Sequence, residues 1–124
     1  MQTKKIKSFT QLNVWKEAHK LVLLIYKATE SFPKKETYSL IDQMRRCSIS
    51  ITSNIAEGFS RQGKKEKLQF YYVSKGSLTE LQNQLLVAKD IGYLTQKEFN
   101  SIAEQTVLVH KLLNGLIKSA IAKY

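Results

Sequence analysis

Apolar residues recur along the chain at alternating intervals of three and four. Val14, Ala18, Leu21, Ile25, Ala28 and Phe32 form one stripe, the signature of a helix that buries a single face. It predicts a helix over roughly 13–31, with Asn13 as N-cap. Pro33 forces the chain out of helical geometry at Phe32. A second stripe runs through Ile41, Met44, Ser48, Ile51 and Ile55. Taken alone, its stretch "SISITSNI" reads as a strand, because β-branched residues alternate there. The three-four register extends past that stretch in both directions, so a helix is predicted, with Gly58 and Gly63 bracketing its end. Tyr71, Ser74, Leu78, Leu81, Leu85 and Ala88 make a third stripe, closed by Gly92. Thr95 and Glu98 have capping-box spacing. The fourth stripe is Phe99, Ile102, Thr106, Val109, Leu113, Leu116 and Ala120.

Four amphipathic helices with short connectors predict an all-α fold, an antiparallel up-down-up-down four-helix bundle. The 124 residues suit one domain, with residues 1–9 expected as a flexible basic arm. One proline and five glycines are few for an all-β chain of this length. Trp15, Leu23, Leu24, Tyr26, Tyr72, Leu86, Val87, Leu108 and Leu112 lie partly outside the stripes. They either widen the core or form a subunit interface; the interface is favoured, because large apolar patches seldom stay exposed.

Charge adds a direction. Twenty Lys/Arg against ten Asp/Glu give a net +10, and the surplus is concentrated before residue 68. In the expected topology the N-terminus, the middle connector and the C-terminus share one end. That end collects Lys4, Lys5, Lys7, Arg61, Lys64, Lys65, Lys67, Lys118 and Lys123, with only Glu57 and Glu66 nearby. At the other end Lys34, Lys35, Lys89 and Lys97 are offset by Glu30, Glu36, Asp90 and Glu98. A localised positive field favours nucleic acid, through phosphate contacts that carry little sequence information. Phe9, Phe59 and Tyr124 are the candidate stacking aromatics. A solvated lysine-rich surface is the plainer reading.

Chemistry is sparse. His19 and His110 have no acidic neighbour at helical spacing, and the Glu-x-x-His di-iron pattern is missing, so no metal or cofactor is expected. Cys47 beside Arg45 and Arg46 allows either a depressed thiol pKa or a small buried side chain, and the second is favoured. It is the only cysteine, so no intramolecular disulfide is possible. Gln43, Arg45, Arg46, Asn54, Glu57, Ser77 and Glu80 suit a buried polar network, with the arginines pairing to Glu57 or Glu80. The competing reading, a carboxylate pair doing acid–base work, lacks a pocket or oxyanion hole. No catalytic residue is assigned, and the chain is expected not to be an enzyme. It shows neither an apolar core of signal-peptide length nor a membrane-length window, so a cytoplasmic protein without a membrane partner is expected.

Several short motifs in order carry a resemblance. Phe9, Leu12, Val14, Trp15 and Ala18 open the pattern, and Phe32, Pro33, Glu36, Tyr38 and Leu40 follow. Then come Gln43, Arg45 and Arg46, the run Ser53 to Gly58, "GSLTEL" from Gly76 to Leu81, and Gly92 with Tyr93. In these the chain resembles the bacterial four-helix-bundle proteins known as S23 or 23S rRNA intervening-sequence proteins, over nearly its whole length. It departs from them at Cys47, where alanine is usual, and at Thr52, where proline is common, which implies a straighter helix here. A similar family, the accessory variability proteins of diversity-generating retroelements, forms basic pentamers that bind nucleic acid and associate with a reverse transcriptase. The resemblance implies a homo-oligomer, a pentamer by that likeness. The expected function is non-enzymatic binding of RNA or DNA, as a ribonucleoprotein or reverse-transcriptase accessory. The alternative is an adaptor whose positive pole meets an acidic protein partner.

Overall fold

The structure, a computed structural model, describes residues 5–123. Its helices are α1 (Asn13–Thr29), α2 (Leu40–Ser60), α3 (Lys64–Asp90) and α4 (Gln96–Ala122), with short 3-10 turns at Phe9–Gln11 and Lys34–Glu36. No strand occurs among the described residues.

Named contacts fix the directions. Arg45, early in α2, bonds Thr29 and Tyr26, late in α1. Lys67, early in α3, bonds the carbonyls of Gly58 and Phe59, late in α2. Lys89, late in α3, lies over the ring of Phe99, early in α4. Further from the connectors, Ser74 of α3 bonds Ile51 of α2 and Gln82 of α3 bonds Thr106 of α4, so residue numbers rise along one helix as they fall along its neighbour and these pairs run antiparallel. Gln105 of α4 donates to the Glu17 carbonyl of α1 at 2.8 Å and closes the ring of four helices. Among the described residues the diagonal pairs, α1–α3 and α2–α4, bring no Cα atoms within 8 Å of each other.

The predicted stripes form the core. Every predicted position in α1, α2 and α3 is buried, from Val14 to Phe32, Ile41 to Ile55 and Tyr71 to Ala88. In α4 the stripe ends at Ala120 as expected, but Phe99 and Leu116 are only half-buried and Ile117 is buried where Leu116 was expected. Most of the apolar residues outside the stripes face outward instead of widening the core. Leu23, Tyr72, Leu86, Val87 and Leu108 are exposed, joined by Val73 and Val107.

The helix ends follow local chemistry, with one correction. Asn13 is not the N-cap of α1. Leu12 takes that position without a side-chain bond, because a capping box one turn earlier, Ser8 with Gln11, already stops the chain in a 3-10 turn. The same turn orders residues 7–9 of the expected arm: Gln11 Oε1 accepts from Lys7 N at 2.7 Å and from Ser8 N at 3.1 Å. The end of α2 falls at Ser60, between Gly58 and Gly63 as expected. Gly58 is needed for closeness. A Cβ built there would stand 2.5 Å from Tyr71 Cε1. Around this contact the α2–α3 seam is lined by small polar groups. Ser74 Oγ donates to Ile51 O at 2.8 Å, Cys47 Sγ to Ser77 O at 3.0 Å, and Ser50 and Ser77 hydroxyls pair at 2.8 Å. Thr52 lies within an unbroken helix, its hydroxyl returned to Ile49 O at 3.0 Å.

The α3–α4 turn is as expected. Gly92 (φ 92°) ends α3 in a Schellman motif, with Tyr93 N–H on Ala88 O at 2.8 Å and Gly92 N–H on Lys89 O at 3.0 Å. Thr95 and Glu98 cap α4 reciprocally. Glu36 joins this turn to the α1–α2 connector. Its carboxylate accepts from Ser39 Oγ and from Tyr93 Oη, the latter at 2.8 Å, beside the N-terminus of α2. These bonds, Ser39 first and Tyr93 second, hold the Glu36 carboxyl below its ordinary pKa.

Two glycines on neighbouring helices are expected to respond in opposite directions. Gly58→Ala destabilises by about 1–3 kcal/mol through overpacking. Gly76→Ala, in α3 with open space around it, stabilises by about 0.5–1 kcal/mol. Urea unfolding of both variants measures the contrast. For Glu36 the lowered folded pKa means a contribution present above the unfolded value and lost as pH falls through the folded one. The stability gap between wild type and Glu36→Gln is therefore constant from neutral pH to about pH 5 and closes below about pH 4, read by urea titration at each pH.

Candidate nucleic-acid interface

The antiparallel order brings the start of α1, the α2–α3 connector and the end of α4 to one pole. Lys5 and Lys7 precede the Ser8-capped turn and are exposed. That turn is seated by Phe9, edge-on to Trp15 at 5.3 Å, and Trp15 in turn stacks on the exposed His19 at 4.7 Å. Arg61 closes α2 through its N–H to Gly58 O at 3.2 Å. Its guanidinium pairs with Glu57 at 3.2 Å and lies 4.9 Å from the centre of the Phe70 ring. Lys64 and Lys65 open α3, half-buried and exposed respectively. Lys118 and Lys123 are exposed near the end of α4. Lys4 and Tyr124 lie outside the described residues.

Lys67 differs from the other cations. Its Nζ donates to Gly58 O at 2.8 Å and Phe59 O at 3.0 Å, so one ammonium caps two carbonyls in the last turn of α2, the first shared with the Arg61 N–H. It also faces the rings of Phe59 and Tyr71 at 5.5 and 5.8 Å. Burial, and then the nearby charge of Lys123, lower its pKa. Among the described residues Arg61 alone of the pole's cations has a carboxylate within 4.0 Å. Between the helix ends opens a cleft of about 630 Å³, lined by Leu12, Phe59, Tyr71 and Leu116 with Lys5, Lys67 and Lys123 among its walls.

The expected Arg–Glu network does not form. Arg45 turns to α1, donating from Nε to Thr29 Oγ1 at 2.9 Å and from Nη2 to Tyr26 O at 3.3 Å, with its guanidinium 4.6 Å from the Tyr26 ring centre. Arg46 pairs with Asp42 one turn back at 3.1 Å. Glu57 is taken by Arg61, and both Glu57 and Glu80 are exposed. Exposed partners within one helix lose less hydration than partners drawn into a seam. Of the seven residues, Asn54 and Ser77 do meet: both bond Ser50, Asn54 Nδ2 at 3.1 Å and the Ser77 hydroxyl at 2.8 Å. Gln43 is exposed. The arginines do not activate Cys47. Burial and then Glu80 push its thiol up to about 12. His110 is half-buried, and its Nε2 has no hydrogen-bond partner.

Among the described residues no His/Cys/Asp/Glu group of three or more could hold a metal ion, and no helix is long and apolar enough to cross a membrane. The lysine capping role, the Gly58–Tyr71 contact and the cleft were missed from sequence. Each depends on side chains meeting across a connector, and no local spacing announces that.

Fold and site together define a basic antiparallel four-helix bundle with eight described cations at one end. The profile of the 23S rRNA-intervening sequence proteins matches residues 10–115, and the chain belongs to that family. The bundle is also similar to the crystal structure of a protein of unknown function from the S23 ribosomal protein family of Bacteroides thetaiotaomicron. That similarity has a TM-score of 0.77 at 19% identity, over 85% of this chain and 95% of the other. No curated protein matches the chain.

Proposed function

We propose that this protein is a non-enzymatic, oligomeric bundle whose lysine-rich pole binds RNA or DNA with little sequence preference, as an accessory to a ribonucleoprotein. The observation that carries the reading is the pole itself. Eight described cations, Lys5, Lys7, Arg61, Lys64, Lys65, Lys67, Lys118 and Lys123, stand there against Glu57 and Glu66. Exposed ammonium groups on three separate chain segments suit a flexible phosphate backbone better than a shaped small molecule. Family membership supports the RNA context without naming the ligand. Oligomerisation is supported by the outer apolar side chains, Tyr72, Val73, Leu86 and Val87 on α3 and Val107 and Leu108 on α4.

Fluorescence anisotropy over a salt series tests the pole. Reversal of Lys64, Lys65, Lys118 and Lys123 to Glu weakens binding at least tenfold and flattens the dependence of log K on log salt, by about 0.7–0.9 for each phosphate that is no longer neutralised. Reversal of Lys34, Lys35 and Lys97 at the opposite pole leaves binding nearly unchanged. Equal effects from the two sets would remove the basis for the assignment, and an acidic protein co-purifying without nucleic acid would favour the adaptor. Light scattering on the wild type is expected to give a multiple of 14.3 kDa, fivefold for a pentamer.

A further inference from the structure

From the cleft at the basic pole we infer a nucleotide subsite: one unstacked base of a single strand enters it while the adjoining phosphates lie against Lys5, Lys67 and Lys123. The inference rests on the proposed polyanion binding and adds which form of nucleic acid the pole selects. The cleft's floor is apolar, with Leu12, Leu116 and Ala120 beside the half-buried ring of Phe59. Its volume of about 630 Å³ lies in the range typical of small-ligand sites. Among the described residues no carboxylate lines it. The Lys123 ammonium is near enough to disfavour the charge on Lys67, after burial, and a bound phosphate relieves that repulsion.

Lys67 is also fixed in advance. Its bonds to Gly58 O and Phe59 O hold the ammonium in place, so an arriving anion does not have to order that side chain. An aromatic face, an apolar floor and a cationic rim are the components of single-strand sites, where a base stacks and its backbone is neutralised. A duplex offers the same phosphates with its bases already paired, and it cannot fill the floor. The cleft at the opposite pole, of about 600 Å³ between α1 and α4, lacks this polarity: Lys27 and Lys97 there are matched by Glu30 and Glu98.

The test is competition binding of a short single strand and of the blunt duplex of the same sequence, at one salt concentration. The wild type is expected to bind the single strand about tenfold more tightly. Ser119→Trp, which fills the cleft from its wall, and Phe59→Leu, which removes the ring, each bring single-strand affinity down to the duplex level and leave duplex affinity unchanged. Should Ser119→Trp lower the thermal midpoint, Phe59→Leu decides. Equal wild-type affinity for the two forms, or variants that keep full single-strand preference, overturns the subsite while leaving the pole as a phosphate-binding surface. Failure of the wild type to bind either form overturns the polyanion reading and the subsite with it.

Discussion

The bundle depends on how closely α2 and α3 approach. At Gly58 no methyl group fits between the backbone of α2 and the ring of Tyr71. Above that contact Cys47, Ser50, Ser74 and Ser77 keep the seam narrow and hydrogen-bond across it. Small side chains let the helices come close, and their hydroxyls and thiol return to backbone carbonyls or to each other, so no polar atom of theirs is stranded by the closeness. The seam also decides the conformation of the serine- and isoleucine-rich stretch. As a helix it sends Ser48, Ile51 and Ile55 inward and Ser50 to α3, and leaves Ser53 exposed. An alternating strand would have put Ile49 and Ile51 on one side, and Ile49 in fact remains exposed.

The core was legible in the sequence because burial on a helix is a periodic property. The α3–α4 turn was legible for a related reason. The Thr95–Glu98 box and the Gly92 stop are written within a few residues of each other, and every group involved is local. What lay hidden was each contact between positions distant in sequence. Charge sign alone suggested that Arg45 and Arg46 would seek carboxylates across the seam. Arg45 instead reaches a hydroxyl, a carbonyl and a ring on α1, an arrangement that no spacing within α2 encodes. Cys47 is a similar case: two arginines precede it in the chain, yet burial dominates its thiol.

Of the candidate interface, the set of cations was readable and the roles within it were not. Composition and topology placed the lysines at one pole together but treated them as equivalent. Lys67 is part of the scaffold, since it closes the end of α2 and bridges two helices across the connector. The exposed Lys65, Lys118 and Lys123 have no such employment in the fold. One residue thus couples the integrity of the α2–α3 hairpin to the electrostatics of the surface beside it, and charge-neutralising changes there act on both.

An even number of helices returns the chain to its starting side. Lys5 and Lys123, the first and last lysines described, line the same cleft. A tag or fusion joined before Lys5 or after Lys123 is therefore delivered towards the cationic end, where a carboxylate-rich linker is attracted to the exposed ammonium groups. The connector at residues 30–39, on the far side of the bundle and carrying the fully accessible Tyr38 (94% exposed), is the place to graft a reporter without occluding that face.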